Sequence, residues 1–319
     1  MQESQTKAWT AYWAAGHLHS LSSAFEANYT GPLAEFWETQ FEALPKDAAL
    51  LDIGTGNGAI PLLAEANERS TGWKIVGIDL AEVDANRVPE GSNVELIGGV
   101  SGEALPQDDA SQDLVTSKYA FEYMPREASL SEIMRVLKPG GQFAAILHHD
   151  QSVIAQFSLQ ELQQIQLLGR SQVFPLMAQL LNALGDFKPS DLATHRANPQ
   201  ADNLRDQFNR VAGELHAMQN QFMNPSFMLG CLSTLVSVFD QLDNLNPAER
   251  QQHVEACRMR VALNMERLKD FTTAALTEDE FKTLCQQLED AGMTILKAEK
   301  LADGDDLLGW QLVAQKANG

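Results

Sequence analysis

Leu50-Leu51-Asp52-Ile53-Gly54-Thr55-Gly56-Asn57-Gly58-Ala59-Ile60 runs from a short apolar strand into three glycines at alternate positions and then into a helical pattern. Glycine reaches positive φ and has no Cβ, so the backbone can turn tightly here and approach a ligand closely. The amino end of the following helix points at the same place. The spacing is G-x-G-x-G with Asp52 two residues ahead, whereas a dinucleotide fingerprint reads G-x-G-x-x-G. Taken alone, the loop fits either class of nucleotide-like cofactor, and the segments downstream separate them.

Ile75-Val76-Gly77-Ile78-Asp79-Leu80 reads as a second buried strand that ends in an acid, placed where a carboxylate can accept hydrogen bonds from ribose hydroxyls. Gly102-Glu103-Ala104-Leu105-Pro106 follows as an acidic loop, and Ser111-Gln112-Asp113-Leu114-Val115-Thr116-Ser117 as a further strand. Arg135-Val136-Leu137-Lys138-Pro139-Gly140-Gly141-Gln142-Phe143 carries proline and glycine in the order a turn requires, leading into a fifth strand. These four motifs, in this order, resemble the class I S-adenosylmethionine-dependent methyltransferases over residues 35 to 150 and again from 277 onward. The resemblance implies an α/β fold: a doubly wound, mostly parallel Rossmann-like sheet. To this the chain adds an N-terminal helical cap (1–34) and a large helical insertion after strand 5 (151–276), and residues 277–319 return to the core.

The resemblance also implies a cofactor, S-adenosyl-L-methionine, and places residues around it. Gly54, Gly56 and Gly58 would pack on the methionine portion, Asp52 would receive its ammonium, and Asp79 would take the ribose. Leu80 would lie against the adenine, with Ser101, Gly102 and Glu103 along its edge. The family's usual adenine-binding Asp is replaced here by Gly99-Val100-Ser101-Gly102-Glu103, so Ser101 or a nearby carbonyl is expected to substitute. After strand 4, Lys118 is expected beside the cofactor, and Tyr119, Glu122 and Tyr123 beside the methyl acceptor. After strand 5, His148 and His149 are the first choices for a base, since an unperturbed imidazole titrates near ~6.5. For either histidine the plainer reading is pairing with Asp150 as part of the scaffold.

Trp9, Tyr12, Trp13 and His17 fall at helical spacing on one face, followed by His19, Phe25 and Tyr29. Of these, Tyr12, Trp13 and His17 are candidates for touching the acceptor, against the alternative of ordinary aromatic burial. In the insertion, Leu159, Leu162, Ile165 and Leu168 form one apolar stripe, and Val254, Cys257, Val261, Met265 and Leu268 another in a helix opened by Asn246-Pro247. Several helices and no strands are expected there, serving as a lid over the acceptor, a dimer interface or an enlarged core. Thr277 and Glu280 spell a capping box, Phe281, Leu284, Cys285 and Leu288 a stripe, and Gly292 a stop. Two β-like runs, Thr294–Lys300 and Leu307–Gln315, then read as a hairpin at the far edge of the sheet.

Composition narrows the partners. Only 23 Lys and Arg face 43 acids over 319 residues, a formal charge of −20, which disfavours nucleic acid as substrate because that affinity rests on neutralising phosphates. The longest apolar stretch, Phe227–Phe239, is shorter than the ~20 residues of a membrane span. It reads as a buried helix. No metal-ligand spacing is present among the three cysteines, and no secretion signal is read at the N-terminus, so a cytoplasmic protein with reduced thiols is expected. The expected activity is methyl transfer to a small molecule with an O, N or S nucleophile, by a monomer or homodimer. The alternatives are a non-catalytic S-adenosylmethionine-binding protein whose insertion holds a partner and, less consistent with the glycine spacing, an NAD enzyme.

Overall fold

The computed structural model describes residues 3–20, 28–85, 88–189 and 198–318, so Phe25 lies outside the described residues. The chain divides into two compact units, Met1–Ala155 with Asp270–Gly319, and Gln156–Lys269. The first unit is built on seven strands: β1 (Ala49–Ile53), β2 (Lys74–Ile78), β3 (Val94–Ile97), β4 (Gln112–Lys118), β5 (Leu137–Leu147), β6 (Met293–Asp303) and β7 (Asp306–Lys316). They lie in the order β3-β2-β1-β4-β5-β7-β6. The first five pair in parallel, and β7 runs antiparallel to both of its neighbours.

Alternation of side chains across the pleat explains why both faces are covered. Leu50, Leu114, Ala144 and Ile146 point to one face, where they pack with Leu33, Phe36, Trp37 and Phe41 of α2 (Pro32–Glu42) and Ile60 and Ala64 of α3 (Ala59–Glu65). Their neighbours Leu51, Val115, Ala145 and Leu147 point to the other, against Leu130 and Ile133 of α4 (Arg126–Val136). The strand order reverses between β1 and β4, and the crevice at their carboxyl ends is where open α/β sheets bind ligands. Ahead of the core, α1 (Glu3–Ala14) carries the aromatic face. It stops at Gly16, whose φ is 93°, so His17 is not on the helix as its spacing suggested.

The motif Lys138–Gly141 is another local correction. Gln112 pairs with Leu137, yet Leu114 pairs with Gln142, so the Pro-Gly segment bulges out within β5 instead of preceding it. Gly140 takes φ 77° there.

Among its described residues the second unit holds helices and no strand: α5 (Val153–Arg170), α6 (Val173–Leu184), α7 (Pro199–Ala217), α8 (Ser226–Val236) and α9 (Pro247–Ala274). It has its own apolar core, including Ile165, Leu168, Met177, Phe208, Leu235, Val254 and Leu268. Leu159, read as part of the α5 stripe, is 49% exposed. The Phe227–Phe239 stretch is not one helix: α8 ends at Val236 and a 3-10 segment, Ser237–Gln241, follows. Arg250 of α9 is fully buried and donates to four carbonyls, those of Leu245, Gly185, Phe187 and Leu242. No described helix is long and apolar enough to cross a membrane.

Back in the first unit, α10 (Glu278–Asp290) opens on the expected box. Glu280 N–H donates to Thr277 Oγ1 at 3.3 Å, and Thr277 N–H to Glu280 Oε2 at 2.9 Å. Phe281, Leu284 and Leu288 join the α4 face of the sheet, and Gly292, at φ 93°, turns the chain into the β6–β7 hairpin.

Candidate active site

The glycine loop leaves β1 with Gly54, Gly56 and Gly58 at φ 72°, 54° and 86°, a region that side chains with a Cβ avoid. All three positions also lack space, Gly58 against the Leu96 side chain at 2.9 Å. A Cβ on Gly54 would collide with the Cβ of Ala120, and one on Gly56 would lie 2.6 Å from the indole of Trp13. The tryptophan of α1 therefore lies on the loop itself. Asn57, fully buried, holds it there: its amide donates to the carbonyls of Trp13 and His17 at 3.0 and 2.7 Å and its oxygen accepts from Asp84 N–H at 3.1 Å. Sequence reading passed over Asn57, although a buried amide among three glycines could have flagged it.

A cavity opens beside this loop. Its walls include Trp9 and Trp13 of α1, Tyr29, Asp52, Gly54, Asp79, Leu80, Lys118, Tyr119 and Tyr123. A second, smaller cavity is lined by Val100, Ser101, Gly102 and Glu103, and it shares Gly54, Leu80, Tyr123 and Met124 with the first. The two are therefore lobes around one set of residues. Ser101 Oγ accepts from Glu103 N–H at 3.2 Å.

The electrostatics of the larger lobe are set by buried carboxylates. Asp52 is 1% exposed and accepts from Thr116 Oγ1 at 2.7 Å, and burial pushes its pKa up to about 7, against the Thr116 bond. Asp79 accepts from the N–H groups of Gly56 and Ala81 at 2.8 and 2.9 Å, yet loss of water still raises it to about 6. Two carboxylates so placed favour a ligand that is cationic or rich in donors at this end. A pyrophosphate beside Asp52 would instead meet like charge.

Several expected site residues stand elsewhere. His148 is not on either cavity wall; its ring stacks on Tyr119 at 4.0 Å and 6°, with Phe271 edge-on at 4.4 Å. His149 is further removed, stacked on Trp310 at 4.4 Å and paired through Nδ1 with Asp150 at 2.9 Å; burial lowers its pKa. Tyr119 lines the cavity, and its hydroxyl donates to the Leu308 carbonyl at 2.9 Å. Burial raises that phenol far above its ordinary value. Glu122 accepts from His148 N–H at 2.6 Å and is pushed up to about 7 by burial, so it braces the strand tip and does not line the cavity. Tyr12 stacks on His17 at 4.4 Å, and neither lines the cavity, whereas Trp13 does.

Lys118 does line it. The side chain is 8% exposed, and Nζ lies 4.1 Å from the centroid of Tyr29 and 3.9 Å from that of Tyr119. It has no hydrogen-bond partner among the described residues. Burial holds its pKa well below the usual lysine value, against the pull of Glu122 and Asp52.

Comparison with known proteins agrees with this geometry. The family model described as a methyltransferase domain matches residues 51–145. A demethylmenaquinone methyltransferase of Symbiobacterium thermophilum is 37% identical over 125 residues, 35% of this chain and 48% of that one. A malonyl-[acyl-carrier protein] O-methyltransferase of Methylococcus capsulatus is 35% identical over 106 residues, 31% of this chain and 37% of that one. The chain thus spans half or less of the length of these curated relatives. Among solved structures, 1,6-didemethyltoxoflavin-N1-methyltransferase of Burkholderia thailandensis, with 1,6-didemethyltoxoflavin and S-adenosylhomocysteine bound, aligns over 98% of this chain and 88% of its own at 12% identity and a TM-score of 0.47. Residues 51–145 thus form a methyltransferase domain, with the glycine loop, acidic strand ends and strand order of the class I S-adenosylmethionine-dependent kind.

Proposed function

We propose that the chain transfers the methyl group of S-adenosylmethionine to a small-molecule acceptor held in the larger lobe, in a reducing, cytoplasmic setting. The observation that carries this reading is the pair of lobes meeting at Gly54, Leu80, Tyr123 and Met124: one is bordered by Ser101–Glu103, the other by Asp52, Asp79 and an aromatic wall. The residues fit the cofactor. Asp52 is the acid for its ammonium, Asp79 for the ribose hydroxyls, and Leu80 with Ser101–Glu103 borders the space for the adenine. Bound S-adenosylmethionine supplies a methyl group already activated on a sulfonium. What the chain must add is position and dryness. Trp9, Trp13, Tyr29, Tyr119 and Tyr123 supply both, as large rigid faces around the acceptor space. The acidic surface argues for a small acceptor over a nucleic acid.

Calorimetry tests the reading. S-adenosylhomocysteine should bind with a micromolar dissociation constant, about −8 kcal/mol, without competition from NAD. Asp79→Ala should weaken it by on the order of 1–3 kcal/mol, through loss of charge-assisted bonds to the ribose and of the anchor for Gly56 N–H. Binding of NAD in place of the sulfur ligand would overturn the assignment. Binding of S-adenosylmethionine with no methyl transfer to any of a panel of small nucleophiles would favour a non-catalytic binding protein.

A further inference from the structure

We propose that Lys118 is the catalytic residue that takes a proton from the methyl acceptor, and that the acceptor is a flat aromatic molecule presenting an acidic hydroxyl to it. The inference rests on the reading of the cavity as the cofactor and acceptor site.

The case begins with the side chain's surroundings. Lys118 lies at the end of β4, on the wall of the larger lobe, with Nζ between the faces of Tyr29 and Tyr119 and no hydrogen-bond partner among the described residues. A buried amine left in that state is costly, and the missing partner is what a ligand can supply. The groups that face it are Asp52 from β1, Glu122 from the one-turn 3-10 helix after β4, and the phenols of Tyr29 and Tyr119. Burial outweighs the two acids and lowers the pKa of the amine, which makes its neutral form, with a lone pair to accept a proton, easier to reach.

The bases expected from the sequence are engaged elsewhere: His148 and His149 are stacked off the cavity wall, the Tyr119 hydroxyl is tied to Leu308, and Glu122 holds the His148 backbone. On the wall itself, Asp52 and Asp79 are assigned to the cofactor and the His19 ring packs on Tyr29 at 4.8 Å, while Lys118 Nζ lies between the faces of Tyr29 and Tyr119.

The chemistry of the amine selects the acceptor. A hydroxyl donates its O–H to the Nζ lone pair; the O–H bond breaks toward oxygen, an N–H bond forms, and the resulting oxyanion accepts N–H from the new ammonium. One oxygen thus serves both before and after the transfer. An ammonium acceptor has no lone pair and would leave the lysine N–H groups unmet, and a thiol is a weak hydrogen-bond partner. The ammonium formed on Lys118 is itself stabilised by the two tyrosine faces and by Asp52 and Glu122. The rings of Trp9, Trp13, Tyr29, Tyr119 and Tyr123 suit a flat aromatic body.

The test uses the full chain saturated with S-adenosylhomocysteine and para-nitrophenol as a chromophoric probe, so the readout is absorbance and not turnover. At a pH one unit below the probe's solution pKa, the bound probe should absorb as the phenolate. In Lys118→Met, which removes a buried amine without leaving a cavity, the phenolate band should vanish and probe affinity fall by about tenfold or more, while S-adenosylhomocysteine affinity stays within about twofold. The inference is overturned if the wild-type chain binds the probe as neutral phenol, if the band survives in Lys118→Met, or if that variant loses S-adenosylhomocysteine, which would make Lys118 a cofactor contact. The wild-type spectrum decides even if the variant does not fold. Failure of the wild-type chain to bind S-adenosylhomocysteine would instead sink the proposed function.

Discussion

Trp13 and Gly56 show how much one pair of residues can decide. The loop residue is held at φ 54° by its place in the turn, and the indole occupies the space that any side chain would need. Gly56→Ala should therefore cost on the order of 1–2 kcal/mol from backbone strain alone, and it should push Trp13 off the loop. Thermal denaturation would show the first effect. Calorimetry would show the second as a loss of about tenfold or more in S-adenosylhomocysteine affinity. Asp52, Gly54, Asp79, Leu80 and Ser101–Glu103 line the cavities, as their place within a few residues of a strand end led the sequence reading to expect. His148 and His149 do not line them. Their rings are taken by Tyr119, Phe271 and Trp310, and the last two arrive from more than a hundred residues downstream, where no local pattern announces them.

At the scale of elements, strands and amphipathic helices were legible wherever a period of two or of 3.6 residues was clean. The capping box of α10 is the clearest case, since Thr277 and Glu280 satisfy each other's backbone without help from the rest of the molecule. Reading failed where a tertiary partner overrode the local signal. Lys138–Gly141 has the composition of a turn, but the pairing of Leu137 with Gln112 carries β5 through it and turns it into a bulge. His17 keeps the helical spacing, yet Gly16 ends α1 before it, and its carbonyl is claimed by Asn57. That clasp makes α1 part of the site. Asn57→Ala should leave the sheet intact but strip the Trp13 and His17 carbonyls of a donor, costing on the order of 1–3 kcal/mol. The expected signature is faster hydrogen exchange confined to residues 3–20, with β1 and β4 unchanged.

For the whole molecule, the buried acids couple stability to pH. Asp52 rises from 3.8 to about 7 and Glu122 from 4.5 to about 7 on folding, so the folded chain binds their protons more tightly than the unfolded one. The stability they contribute is full below their unfolded values, and it is lost as pH climbs through about 7. Scanning calorimetry without ligand should show the melting temperature falling across that window. Asp52→Asn should flatten the fall, and S-adenosylhomocysteine, whose ammonium is proposed to meet Asp52, should offset it. The unit Gln156–Lys269 carries none of these acids and has a core of its own, so the fall should be read from the first unit's transition. For that second unit, hydrogen exchange that slows with ligand would speak for a lid, and exchange that slows with protein concentration for a dimer interface.

The tryptophan on the glycine loop has one further consequence. Of the five tryptophans, Trp37, Trp73 and Trp310 are buried in the core and do not line the cavity, while Trp9 and Trp13 stack on each other at 5.9 Å and 24° on its wall. Two indoles that close absorb as a coupled pair, and their emission responds to whatever enters beside them. Ligand entry should appear as a change in fluorescence and in near-ultraviolet circular dichroism over a constant background from the other three. The chain therefore carries its own optical reporter at the cofactor loop, and occupancy can be followed in real time without a label.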